Sequence, residues 1–200
     1  MTEPSPDAHF ASLLAEVRAC TLCAEHLPFP PKPIVHASQK ARLMIVGQAP
    51  GRRVQETGIP WNDPSGDRLR DWLALSRDQF YDSNRIAIIP TGFCYPGTGS
   101  GGDLPPRPEC APFWHPRLRT ALPNLQLTLL VGSHAQAYYL AKARKGNLAQ
   151  TVRAYGDYLP GFFPLPHPSP RNQRWFKNHP WLASEVLPAL RTLVGKILGS

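Results

Sequence analysis

Three groups of residues in this 200-residue chain have the types and spacing to do chemistry. The first is a set of four cysteines. Cys20 and Cys23 form a Cys-x2-Cys pair, Cys94 follows after 70 intervening residues, and Cys110 after 15 more. Soft thiolate sulfurs in this arrangement favour a metal site, either zinc or an iron–sulfur cluster. The competing reading is four unrelated buried thiols, because free cysteine packs well in cores. Cys94 and Cys110 flank a loop rich in Gly and Pro that has little to pack with. Tying its two ends together would solve that problem.

The second group is Gly47-Gln48-Ala49-Pro50-Gly51 with the segment Gly58-Ile59-Pro60-Trp61-Asn62-Asp63-Pro64-Ser65-Gly66-Asp67. Two glycines around a proline let backbone approach a ligand closely and can aim N–H groups at an anion. The Lys-Ser/Thr of a P-loop and the spacing of a dinucleotide fingerprint are both missing, which excludes those nucleotide readings. An ordinary tight turn explains the glycines equally well. Trp61, held between prolines, is either a stacking platform for a planar ligand or a lid on the core. The third group is His167-Pro168-Ser169-Pro170 followed by Arg171 and Asn172. A histidine fixed by prolines, with a hydroxyl and a base beside it, is placed to contact a phosphate or a leaving group.

The elements that must position these groups are legible as hydrophobic patterns. Phe10, Leu13, Leu14 and Val17 have helical spacing behind a possible Asp7 cap, predicting a helix over 7–19. Four prolines between Leu27 and Pro33 predict an extended connector, taken as 27–40. Apolar runs at Leu43–Val46, Ile86–Ile89 and Leu127–Val131 read as buried parallel strands, with a further strand at Phe162–Leu165. Helical patterns fall at 65–76, 110–121, 134–142 and 181–198. Alternating strand and helix predicts an α/β fold, a three-layer αβα sandwich with a short, mainly parallel sheet. Loops 47–64 and 92–109 follow predicted strands, and open α/β sheets bind ligands at the carboxyl ends of strands.

Composition sets the outer bounds. The hydrophobic fraction is 42% and the charged fraction 18%, which excludes a disordered or fibrous chain. The expectation is a single domain over 1–200, with 1–6 disordered. No apolar run reaches the roughly 18 residues of a membrane span, and the N-terminus lacks the pattern of a secretory signal. A soluble, cytoplasmic, monomeric protein without membrane partners is therefore expected. The net charge of +8 is unevenly spread. Residues 1–140 hold 13 Lys and Arg against 12 Asp and Glu, whereas residues 141–200 hold 9 against 2. A positive C-terminal third attracts polyanions, since each neutralised phosphate releases counterions.

Taken together and in order, these segments resemble the uracil-DNA glycosylase superfamily, above all its iron–sulfur branch, family 4. The resemblance rests on Cys20/Cys23, Cys94/Cys110, Gly47–Gly51, Gly58–Trp61 and His167–Ser169, and covers about residues 10–195. It implies a [4Fe–4S] cluster held by the four cysteines, DNA carrying a damaged base as partner, and hydrolysis of the N-glycosidic bond of uracil in base-excision repair. It also implies roles. His167 and the Ser169 backbone would face the leaving base and the adjacent phosphate, and Trp61 would stack on the pyrimidine. The loop of Gly47, Gln48, Ala49, Pro50 and Gly51 would face the flipped base or position water. Pro168, Ser169, Arg171 and Asn172 would touch DNA.

The chain departs from the family 4 pattern at three positions. Gln48 stands for Glu, Trp61 for Phe, and Pro90 occupies the place of an Asn that reads the uracil edge. Asn62 is the expected replacement amide, with Asp63 and Gln48 as further polar substitutes. Two other readings compete with the glycosylase. One is a damaged-DNA or single-strand binding module that keeps the fold and metal site without turnover. The other is a metal-stapled α/β protein acting on a nucleotide-like substrate.

Overall fold

The computed structural model describes residues 6–199. The predicted disorder at the N-terminus lies outside the described residues, apart from Pro6, which opens the first helix. Four short strands, β1 (Leu43–Val46), β2 (Ile86–Ile88), β5 (Leu127–Val131) and β6 (Phe162–Leu165), form one sheet in the order β2-β1-β5-β6, all parallel. A separate antiparallel pair, β3 (Thr98–Gly99) and β4 (Gly102–Asp103), makes a hairpin. The helices are α1 (Pro6–Arg18), α2 (Arg52–Thr57), α3 (Pro64–Leu73), α4 (Arg77–Tyr81), α5 (Cys110–Thr120), α6 (Ser133–Leu140), α7 (Leu148–Arg153), α8 (Gln173–Asn178) and α9 (Leu187–Leu198).

The strands read as unbroken apolar runs because both faces of the sheet are covered. Leu43, Ile45, Leu127, Leu129 and Val131 pack with Leu69 and Trp72 of α3 and with Leu190 and Val194 of α9. Met44, Val46 and Leu130 point the other way, against Phe10, Leu14 and Val17 of α1 and Trp114 and Leu118 of α5. The period-two alternation of side chains thus divides one run of residues between two cores. The result is the αβα sandwich expected. Among the described residues, no helix is long and apolar enough to cross a membrane.

The connector at 27–40 is extended after a turn at Ala24–His26, and it has a structural task. His36 forms an antiparallel bridge with Ile88, which covers the outer edge of β2. The structure differs from the sequence expectations mainly inside the loops. The stretch 47–64 contains the short helix α2, and 92–109 contains the β3–β4 hairpin. The helical pattern at 65–76 breaks at Ala74, which takes a left-handed conformation before the Ser76 capping box starts α4. Over 181–198 a π-helical turn at Leu182–Val186 precedes α9.

Candidate active site

The sheet order places a topological switch between β1 and β5, whose following connections run to opposite sides. At the carboxyl ends of the strands lies a cavity of about 450 Å³, in the range of small-ligand pockets. Gly47, Gln48, Ala49, Pro50 and Gly51 line it from the loop after β1, and Pro90 from the loop after β2. Trp61 and Asp63 enter from the segment before α3, and His167, Ser169, Arg171 and Asn172 from the segment after β6. Residues far apart in sequence therefore meet in one place.

The loop after β1 is pinned from β2's side. The Thr91 N–H donates to the Gly47 carbonyl at 3.0 Å, and the Thr91 hydroxyl donates to the Gly47 and Gln48 carbonyls at 3.1 and 2.5 Å. Trp61 is held by its backbone. It adopts a left-handed conformation, uncommon for a bulky residue. The buried Arg70 guanidinium donates to the Trp61 carbonyl at 3.3 Å, and the Tyr81 hydroxyl donates to the Pro60 carbonyl at 2.7 Å. Two glycines are required by this placement. A Cβ at Gly47 would lie 2.8 Å from Trp61 Cζ2, and one at Gly66 only 1.7 Å from the Trp61 carbonyl oxygen.

His167 is positioned as firmly. Gln136, buried in α6, donates to the Leu165 carbonyl at 2.9 Å and so fixes the end of β6. Asn172 Nδ2 donates to the His167 carbonyl at 2.8 Å. The Ser169 N–H donates to His167 Nδ1 at 3.2 Å, so the neutral ring carries its proton on Nε2. Burial holds its pKa below the ordinary histidine value, against the opposing pull of Asp63 and Asp103. The neutral imidazole is thus a hydrogen-bond donor beside the Trp61 ring.

Not every expected residue reaches the cavity. Asn62 is not among the lining residues, and its Oδ1 accepts from Arg77 Nη2 at 3.1 Å. Its neighbour Asp63 does line the cavity while capping α3, accepting from the Gly66 N–H at 2.8 Å. The buried Pro168 also lies outside the lining, and its carbonyl accepts from Arg68 Nη1 at 3.2 Å. Gln48 is at the cavity, with its amide nitrogen donating to the Leu104 carbonyl at 3.2 Å. Sequence reasoning missed Asp103, Ser65 and Thr91. Asp103 ends a Thr-Gly-Ser-Gly-Gly-Asp stretch, where paired glycines signal a tight hairpin but not its destination.

Cys94 and Cys110 bracket the hairpin loop, and Cys20 and Cys23 follow α1. Behind the larger effect of burial, Cys23 and Cys20 act on the Cys94 thiol, and Cys23, Cys94 and Cys20 act on the Cys110 thiol. Burial raises the Cys94 thiol to about 11 and the Cys110 thiol to about 12. Trp114 Nε1 donates to Cys20 Sγ at 3.3 Å. Among the described residues, no three His, Cys, Asp or Glu side chains are closed into a metal-holding group. The donor set itself, four soft thiols from three segments, fits a metal or cluster chemically, and a coordinated thiol is held deprotonated.

The model of the Uracil DNA glycosylase superfamily matches residues 35–191. The chain belongs to that superfamily. A Type-4 uracil-DNA glycosylase from Sulfurisphaera tokodaii is 27% identical over 107 residues, which are 52% of this chain and 45% of that protein. The match therefore spans less than half of the relative's length. A solution NMR structure from Methanosarcina acetivorans, described as a candidate uracil DNA glycosylase, aligns with a TM-score of 0.48 at 19% identity, covering 84% of this chain and 98% of that one. The crystal structure of Pedobacter heparinus SMUG2 aligns with a TM-score of 0.33 at 13% identity, covering 80% and 74%.

Proposed function

We propose that this protein is a DNA N-glycosylase that excises uracil, or a related deaminated base, in base-excision repair. The observation that carries the reading is His167, a neutral Nε2–H donor fixed beside Trp61 in the cavity at the sheet's switch point. A base inside a duplex cannot be reached, so the nucleotide is flipped out at a cost of a few kcal/mol. Trp61 then stacks on the pyrimidine. As the N-glycosidic bond breaks, negative charge builds on the base, and His167 donates to the oxygen that gathers it. A preorganised donor of this kind supplies the largest share of many rate enhancements. With Nδ1 already accepting from Ser169, the Nε2–H of the neutral ring is the group left to donate.

With Asn62 turned to Arg77, the base edge is read by what remains at the cavity: the Gln48 side-chain Oε1, the Asp63 carboxylate and the main chain of 47–51. Cys20, Cys23, Cys94 and Cys110 are the residues that would hold a [4Fe–4S] cluster, with zinc as the alternative. When bound, such a group would brace the loop between Cys94 and Cys110, which carries the hairpin. Arg171 and the basic C-terminal third would meet the phosphates.

A second reading is favoured by one observation. Pro90 lines the cavity and offers no amide, so a module that binds damaged or single-stranded DNA without turnover is the competing function. Anaerobically purified protein incubated with single- and double-stranded oligonucleotides bearing uracil, hypoxanthine or xanthine separates the two. Excision that His167→Ala abolishes supports the glycosylase; binding without excision of any base supports the module.

A further inference from the structure

Hydrolysis of a glycosidic bond needs a second group besides the donor to the leaving base. Water must be held at the sugar carbon and must lose a proton. His167 cannot take that proton, because its Nδ1 already accepts from Ser169 and its Nε2 is protonated. The loop after β1 offers no base either: Gln48 is an amide tied to the Leu104 carbonyl, and Ala49 has no polar atom. Among the described residues lining the cavity, the only carboxylates are Asp63 and Asp103.

Their surroundings differ. Asp63 Oδ1 is committed to the N-terminus of α3, where it accepts from the Gly66 N–H at 2.8 Å. Asp103 stands on the hairpin across from the Gly47–Gly51 loop. Its Oδ2 lies 3.3 Å from the point a Cβ at Gly51 would occupy, and its nearest hydrogen-bond donor is the Thr98 hydroxyl at 3.5 Å. No ion pair engages it among the described residues. It is close enough to influence the protonation of His167.

We propose that Asp103 is the catalytic carboxylate that holds and deprotonates the hydrolytic water, an inference that rests on the glycosylase reading. The bond between the sugar C1′ and the base nitrogen breaks, and both electrons leave with the base. The resulting anion is met by His167 Nε2–H and later takes a proton from solvent. The water oxygen forms the new bond to C1′, and its proton passes to the Asp103 carboxylate, which returns it to solvent. The glycine at position 51 leaves room for the carboxylate, and a methyl group there would press on it.

The test is single-turnover excision from a uracil-bearing oligonucleotide by the full chain, with affinity for the same oligonucleotide measured in parallel. Asp103→Asn keeps the shape of the side chain and an acceptor for Thr98, so the hairpin is retained. Its excision rate is expected to fall by about 10²-fold or more, with affinity within about threefold. Asp103→Glu is expected to recover part of the rate, and Asp63→Asn to lower it less than Asp103→Asn. A rate for Asp103→Asn within about threefold of the unsubstituted protein overturns the proposal and leaves the glycosylase reading standing. So does a loss carried by Asp63→Asn instead. Absence of excision by the unsubstituted protein overturns both.

Discussion

The indole of Trp61 and the imidazole of His167 lie 5.6 Å apart, centroid to centroid, with their planes inclined by 33°. The two residues are 106 positions apart in sequence, and each is fixed by its own backbone network rather than by the other. Arg70 and Tyr81 hold the turn before α3, while Gln136 and Asn172 hold the segment after β6. A stacking surface and a neutral donor therefore share one cavity without relying on each other for placement.

Truncation of His167 should cost far more rate than truncation of a surface arginine. His167→Ala is expected to lower single-turnover excision by about 10²–10³-fold, the usual effect of removing one preorganised donor. Arg18→Ala, at an exposed position in the last turn of α1 and outside the basic C-terminal third, should stay within about twofold. Equal effects of the two substitutions would contradict the role given to His167.

The glycines around Trp61 should respond in different ways. Gly66→Ala sets a methyl group against the Trp61 carbonyl, which is backbone and cannot move without its turn. A loss of about 2 kcal/mol or more in denaturant unfolding is expected. Gly47→Ala meets only the ring edge, which can shift. It should leave the unfolding midpoint nearly unchanged while altering tryptophan fluorescence and slowing excision.

Stability should fall as the solution is acidified through the histidine range. His115 is buried, with Nε2–H donating to the Pro90 carbonyl and Nδ1 accepting from the Tyr139 hydroxyl. Burial lowers its pKa to about 4. Between that value and the unfolded histidine value near 6.5, the unfolded chain binds more protons than the folded one, so stability is lost as pH drops. Unfolding at pH 5 should show about 2 kcal/mol less stability than at pH 7.5 from this residue. His115→Gln should flatten that dependence.

DNA binding should depend on salt through the segment that leaves the cavity. Arg171 in the turn before α8, and Arg174 and Lys177 on α8, recur every third residue, are exposed, and make no ion pair among the described residues. Replacing all three with Gln should weaken oligonucleotide binding and reduce the slope of log affinity against log salt by about 2. An unchanged slope would show that the phosphates lie elsewhere.

Metal analysis decides the cysteine site. Iron and acid-labile sulfide in stoichiometric amounts, both lost in a Cys94→Ser/Cys110→Ser variant, are expected from anaerobic preparations. Zinc in the same amounts would assign the alternative ion to the same residues.

Much of this molecule is written locally. The strand runs, the first helix and the connector forced by four prolines all follow from short-range pattern, because burial on both sheet faces and proline geometry act on neighbouring residues. The chemistry of Gly47–Gly51, Trp61 and His167 was equally visible, since residue type limits what each group can do. What a side chain faces is another matter. Asn62 and Asp63 are adjacent, yet one turns to Arg77 and the other to the cavity, a choice made by the αL turn at Trp61 and the helix cap that follows. Asp103 reaches the site only because the hairpin folds back over the loop after β1. Such placements depend on contacts between segments distant in sequence, and those exist only once the sheet has brought the ends of its strands together.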